Sequence, residues 1–177
     1  SGVVGTSPVD KVVVVCSIDS YQVSGAVSGL TGTVELLNNG GDLLTISANG
    51  GFTFPVPLAH GAGYAVTVRT QPVGQTCSGS NGTGSMQGPV ANLAVVCAAN
   101  AYTVGGIVSG LAGTLELVNN GVDVLAISAN GTFTFAAPVA FGSTCVATVR
   151  TQALNEVCTV TNDTGTMGAS NVVNVAI

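Results

Sequence analysis

The residues of this chain best equipped for chemistry are its five cysteines, Cys16, Cys77, Cys97, Cys145 and Cys158. In an oxidising compartment such thiols pair as disulfides. Cys77 and Cys97 flank what reads as a terminal hairpin in the first half of the chain, and a bond between them implies an extracellular setting. Two reduced, buried thiols are the alternative, since free cysteine packs as a small apolar residue. An odd cysteine in a secreted protein points to pairing between molecules. Cys158 repeats the position of Cys77, and its counterpart partner would fall at residue 178. Cys16 repeats the position of Cys97. Cys16, Cys158 and Cys145 are therefore candidates for an intersubunit disulfide. A Cys145–Cys158 bond inside the second half is the competing arrangement.

Other reactive groups are sparse. His60 is the single histidine, and Phe141 stands at its repeated position. A catalytic triad or general base needs a basic group beside a nucleophile, and no such pair is legible, so the chain reads as a non-enzyme. Asn38, Asn39 and Asp42 recur as Asn119, Asn120 and Asp123. Calcium favours several carboxylates and carbonyls together, and one carboxylate in each cluster reads as turn chemistry. No cofactor and no metal are expected.

Composition narrows the partners. Lys11, Arg69 and Arg150 are the basic residues, too few for a nucleic-acid footprint. No apolar run approaches the roughly 20 residues of a membrane span. Charged residues make up 6% and the formal net charge is −5. Such a surface repels its neighbours weakly and permits side-by-side packing. Glu35 with Arg69, and Glu116 with Arg150, read as an ion pair on a sheet face.

A repeat organises these residues. "YQVSGAVSGLTGTVELLNNGGDLLTISANGGFTF" begins at Tyr21 and "YTVGGIVSGLAGTLELVNNGVDVLAISANGTFTF" at Tyr102. "VTVRTQ" (66–71) matches "ATVRTQ" (147–152), and the offset reads as a constant 81 residues. The domains are an N-terminal extension (1–20), module one (21–97), a short linker (98–101) and module two (102–177). Thr33 to Leu36 and Tyr64 to Arg69 alternate apolar and polar residues, the period of half-buried strands. "NNGGD" and "ANGG" are turns, because Asn and Gly accept positive φ. About seven strands in some 80 residues suggest a sandwich of two antiparallel sheets.

The pattern "GxVSGLxGTxELxNNG…ISANGxFTF…G…VTVRT" resembles the prealbumin-like and immunoglobulin-like modules repeated in bacterial surface proteins and adhesins. The resemblance rests on the ANG-x-FTF turn and strand and on the G…Y-x-V-x-V strand that follows, and it covers both modules. It implies an all-β fold of two tandem Ig-like sandwiches. Such modules serve as stalks, spacers, fibres and binding heads. Module two departs from the pattern where Cys145 replaces Tyr64.

The segment "PVDKVVVVCS" (8–17) matches "PVANLAVVCA" (89–98), the closing strand of module one. Its valines, Val12, Val13, Val14 and Val15, read as a donor-type strand that precedes any module of its own. Docked on module two of another copy, it would repeat the internal module-to-module geometry. That contact is heterologous and propagates into an open filament. The expected partner is thus the same chain, in a pilus-like fibre at the cell surface, assembled by strand addition. An adhesion or glycan-binding module, or spacer domains of a larger secreted or surface protein, are the alternatives.

Overall fold

Alternation of side chains decides which face each strand buries. Along Val34–Asn38 the side chains of Val34, Leu36 and Asn38 are buried while Glu35 and Leu37 are half-buried, and Leu115–Asn119 repeats the pattern. The computed structural model describes residues 13–177. Module one carries β1 (Ser20–Tyr21), β2 (Val23–Ser28), β3 (Val34–Asn38), β4 (Asp42–Ile46), β5 (Gly50–Thr53), β6 (Leu58–Ala59), β7 (Gly63–Thr70), β8 (Gln75–Ser80), β9 (Thr83–Ser85) and β10 (Val90–Ala99). Module two carries β11 (Ala101–Tyr102), β12 (Val104–Val108), β13 (Leu115–Asn119), β14 (Asp123–Ile127), β15 (Gly131–Thr134), β16 (Val139–Ala140), β17 (Thr144–Thr151), β18 (Thr164–Thr166) and β19 (Val172–Ala176).

Each module is a sandwich. The sheets of module one run β5-β2-β10-β8 and β4-β3-β7-β9, and those of module two run β15-β12-β19 and β14-β13-β17-β18. Short pairs, β1 with β6 and β11 with β16, close the entry to each module. Between the sheets of module one lie Val23, Val34, Leu36, Phe54 and Leu93; Val104, Leu115, Leu117, Phe135 and Val175 fill module two. Each such side chain stabilises its core by about 1.5–3 kcal/mol. The repeated FTF sets two rings edge to face, Phe52 with Phe54 at 6.0 Å and Phe133 with Phe135 at 5.7 Å.

The sheets are not wholly antiparallel, which corrects the reading from sequence. The last strand of each module runs parallel to its first: β10 beside β2, and β19 beside β12. A chain that closes its module this way leaves at the end opposite its entry. Close approach at this pair requires glycine. A Cβ on Gly25 would lie 2.2 Å from the Leu93 carbonyl oxygen, and one on Gly106 would lie 1.7 Å from that of Val175.

Side chains that read as turn residues also act as clips. Asn49 accepts a hydrogen bond from the Leu30 amide (2.8 Å) and donates to the Leu30 carbonyl (3.0 Å). Asn130 holds Leu111 with the same two bonds. The sequence shows these asparagines beside positive-φ glycines, Gly50 and Gly131, but not what their amides reach.

The repeat offset also changes near the end. Val90 pairs with Val23 and Leu93 with Gly25, while Val172 pairs with Val104 and Val175 with Gly106. The final strands are thus 82 residues apart, with one extra residue between Met167 and Val172. Both Met86 and Met167 stay buried, so the surface turn absorbs the insertion. The counterpart of Cys97 would accordingly fall one position later than the constant offset implies. In the short connection 98–101, β10 runs to Ala99 and β11 starts at Ala101, leaving Asn100 between strands.

Of the donor-type run, Val12 lies outside the described residues. Val13, Val14 and Val15 form no strand in the single chain and are 78%, 78% and 86% exposed. Valine favours a strand where it packs on neighbouring strands, and among the described residues no strand pairs with this segment.

Two outcomes follow. Gly106→Ala drives β19 off β12 and lowers the urea midpoint of module two far more than Gly168→Ala, a loop position with open space around it and no positive φ. Asn130→Ala removes both bonds to Leu111 and costs about 1–3 kcal/mol in the same measurement.

Candidate functional site

Cys77 on β8 and Cys97 on β10 stand directly opposite in register and are joined by a disulfide. Gln71 prepares this position. Its amide accepts from the Cys77 N–H at 2.7 Å and donates to the Cys77 carbonyl at 3.0 Å. Gln152 does the same for Cys158, at 2.7 and 3.1 Å. Cys158 is therefore held as Cys77 is, yet carries a free thiol. Cys145 is not its partner. Its side chain turns into the core, where the thiol donates to the Gly165 carbonyl at 3.5 Å. The small sulfur takes the place of Tyr64, whose ring covers Gly84. Cys16 is exposed.

Around Cys158 the two modules differ. In module one, Val96, Cys97, Ala98 and Ala99 pair with Ser78, Cys77, Thr76 and Gln75. On the other side, a Cβ on Gly29 would sit 2.2 Å from the Cys97 carbonyl oxygen. In module two, Ile177 takes the place of Val95. Beyond it runs an open groove of about 370 Å³, lined by Ser109, Gly110, Glu156, Val157, Cys158 and Thr159. Gly110, the counterpart of Gly29, has nothing within 4 Å of its Cβ position. Residues 156–160 form no strand there, and a single bridge, Thr161 to Ala176, marks where the hairpin would start.

The groove lies at the exit end of module two. The entry end of module one has its own repeated geometry. Where module one meets module two, the Asn100 amide donates to the Gly74 carbonyl (2.8 Å) and its carbonyl accepts from the Phe141 amide (2.8 Å). Thr76 and Asn100 share a side-chain bond of 2.7 Å. The Phe141 ring rests on Gly74, where any Cβ would collide with it at 2.2 Å. At the front of module one Asp19 stands in for Asn100, and its carbonyl accepts from the His60 amide at 2.8 Å. His60 thus occupies the Phe141 position, its ring edge-on to Tyr21 at 6.4 Å.

The acidic positions are absorbed by backbone. Asp42 accepts from the Val56 amide and Asp123 from the Ala137 amide, which ties the turn after β3 or β13 to the loop after β5 or β15. Glu35 and Glu116 accept the hydroxyls of Thr70 and Thr151, and Arg150 approaches Glu116 at 4.0 Å. Among the described residues no three His, Cys, Asp or Glu side chains cluster as metal ligands, and no helix is long and apolar enough to cross a membrane.

No protein-family model matches the chain, and no curated protein matches it. Among solved structures, one described as the Bacillus anthracis TIE protein is similar in fold, with a TM-score of 0.54 at 14% identity. The match covers 90% of this chain and 34% of that one, so the chain spans about a third of its neighbour's length. The likeness bears on fold alone: an all-β chain of sandwich modules.

The Cys77–Cys97 bond closes a separation of 20 residues, worth about 3 kcal/mol by chain entropy. Cys77→Ser with Cys97→Ser is expected to lower the stability of module one by that order in urea unfolding. Reductant then shifts the wild type but not the variant.

Proposed function

We propose that this protein is an extracellular structural subunit that assembles head to tail into a surface filament. The observation that carries this reading is the parallel pairing of first and last strands in each module. It passes the chain from one end of a module to the other, and the next module is then seated on the exit end by backbone bonds through Asn100. Module one is built to be seated in the same way. Its entry pair β1–β6 and the Asp19–His60 bond reproduce β11–β16 and the Asn100–Phe141 bond.

The surrounding features agree with a scaffold. Polar but uncharged surfaces pack side by side without strong repulsion. The disulfide fits an oxidising, extracellular compartment. Val13–Val15 and Ile18 expose four large apolar side chains immediately before the entry of module one, and apolar residues of this kind are sheltered when an extended segment adds to a sheet. Contact between one end of a chain and the opposite end of the next is heterologous and leaves a free end at every step, so it extends without closing.

Negative-stain microscopy of the full chain is expected to show fibres of uniform width. Removal of residues 1–16 is expected to leave discrete particles whose circular dichroism and unfolding midpoint match the full chain. Fibres formed equally well by the shortened chain would contradict the proposal.

A further inference from the structure

Module two carries a pocket that module one fills with its own side chain. Tyr64 and Cys145 hold matching places: Tyr64 on β7 stands opposite Gly84 on β9, and Cys145 on β17 opposite Gly165 on β18. In module one the tyrosine ring lies over Gly84, where a Cβ would meet the ring and its hydroxyl at 2.7–2.9 Å. In module two a Cβ on Gly165 would have only the Cys145 sulfur nearby, at 3.9 Å. The space over Gly165 is a pocket of about 230 Å³, bordered by Val104, Cys145, Thr164, Gly165, Thr166 and Val175. It reaches the core, since Val104 and Val175 are both buried. We infer that this pocket binds a small neutral phenol, its ring lying where the Tyr64 ring lies in module one. The site is contained in module two and does not rest on the filament reading.

Two further replacements enlarge the same region. By strand register, Ala147 stands in the place of Val66 and Val175 in that of Leu93. Val160, in the place of Gly79, refills a different region. Gly79 borders a cavity with Leu36, Val66 and Val95 in module one, and Val160 does not border the module-two pocket. Side-chain atoms removed from a core without replacement leave walls that have lost their contacts. An apolar space of this kind takes up an aromatic ring that restores them.

Polar groups set the orientation and the class of ligand. The Tyr64 hydroxyl donates to the Asn81 carbonyl at 3.5 Å. Asn162 repeats Asn81 closely. Both take a left-handed backbone, with φ of 53° and 56°, and their amides donate to the Asn174 and Asn92 carbonyls at 2.9 and 3.0 Å. The Asn162 carbonyl is thus placed to accept from a phenol hydroxyl. Asp163, in the place of Gly82, lines the pocket and brings negative charge to it, which disfavours anionic rings.

The sheet beside the pocket also has an acceptor to spare. Asn119 stands opposite Ala147, two residues along from Cys145, and its buried Oδ1 has no hydrogen-bond partner. In module one the Asn38 Oδ1 accepts from the Ala65 amide at 3.2 Å, whereas the matching Val146 amide donates to Asn120. Surroundings with acceptors in surplus favour a ligand that donates.

The test uses the full chain with p-cresol as the phenol, toluene as the ring without a hydroxyl and benzoate as the anion. p-Cresol is expected to raise the urea midpoint of module two. It should also slow the modification of Cys145 by methyl methanethiosulfonate, about tenfold at a concentration near ten times its Kd. Trypsin cuts after Arg69 and Arg150, so Cys145 is read in peptide 70–150 and Cys158 in 151–177. Modification of Cys158 should not change, and toluene and benzoate should protect Cys145 weakly. Cys145→Tyr puts the module-one ring into the pocket and is expected to abolish the response to p-cresol. Where that variant does not fold, the wild-type protection decides. Absence of protection by p-cresol, equal protection by all three compounds, or an undiminished response in folded Cys145→Tyr would overturn the assignment. A Cys145 thiol that resists the reagent in the free chain would overturn it as well, because the pocket is then closed.

Discussion

Parallel pairing between the first and last strands of each module is the constraint on which the rest of the structure depends. Parallel strands cannot be joined by a tight turn, so the whole module must be built between them. The chain then emerges beyond the far end of the strand it entered by. Gly25 and Gly106 hold the pair at a spacing that no larger residue allows. From this arrangement come the seating of module two on module one and the repetition of that seat at the front of the chain.

The two modules share this frame and differ around Cys158. Module one is complete along its fourth strand: β8 and β10 form a hairpin, and the disulfide locks it. Module two keeps the glutamine clip, and residues 156–160 are not drawn into a sheet. A backbone segment takes strand geometry when another strand accepts its hydrogen bonds. The same rule accounts for the front of the chain. Val13–Val15 are strong strand formers by type and remain outside any sheet in the single molecule.

Local features were legible in the sequence, and pairings between distant residues were not. Alternation in "TVELLN" and the Asn-Gly turns marked strands and hairpins because both depend on neighbouring residues. Asn39 and Asn120 do adopt positive φ, at 49° each. The parallel partner of the last strand depends on register between residues nearly 70 positions apart, and alternation carries no sign of direction. The inserted residue before Val172 escaped notice because "SMQGPV" and "TMGASNV" share the buried methionine, and only strand register shows where the extra residue went. Asn49 and Asn130 stand in the ANG turn motif and Gln71 and Gln152 close the VRTQ motif, and neither context shows what the amides bind. Their recurrence in both copies was the available signal, since a solvent-facing amide has no reason to reappear at the same place. The cysteines carried the most information about the site, because the repeat itself set Cys16 and Cys158 in the positions of a bonded pair.

Amide hydrogen exchange compared between dispersed and assembled chain tests the central claim most directly. Strand addition by the front segment should slow exchange at Val13–Asp19 in assembled material, while β4 and β14, the edge strands of the opposite sheets, keep their rates. Unchanged exchange at Val13–Asp19 in assembled material, or protection appearing at β4 and β14 instead, would contradict the account.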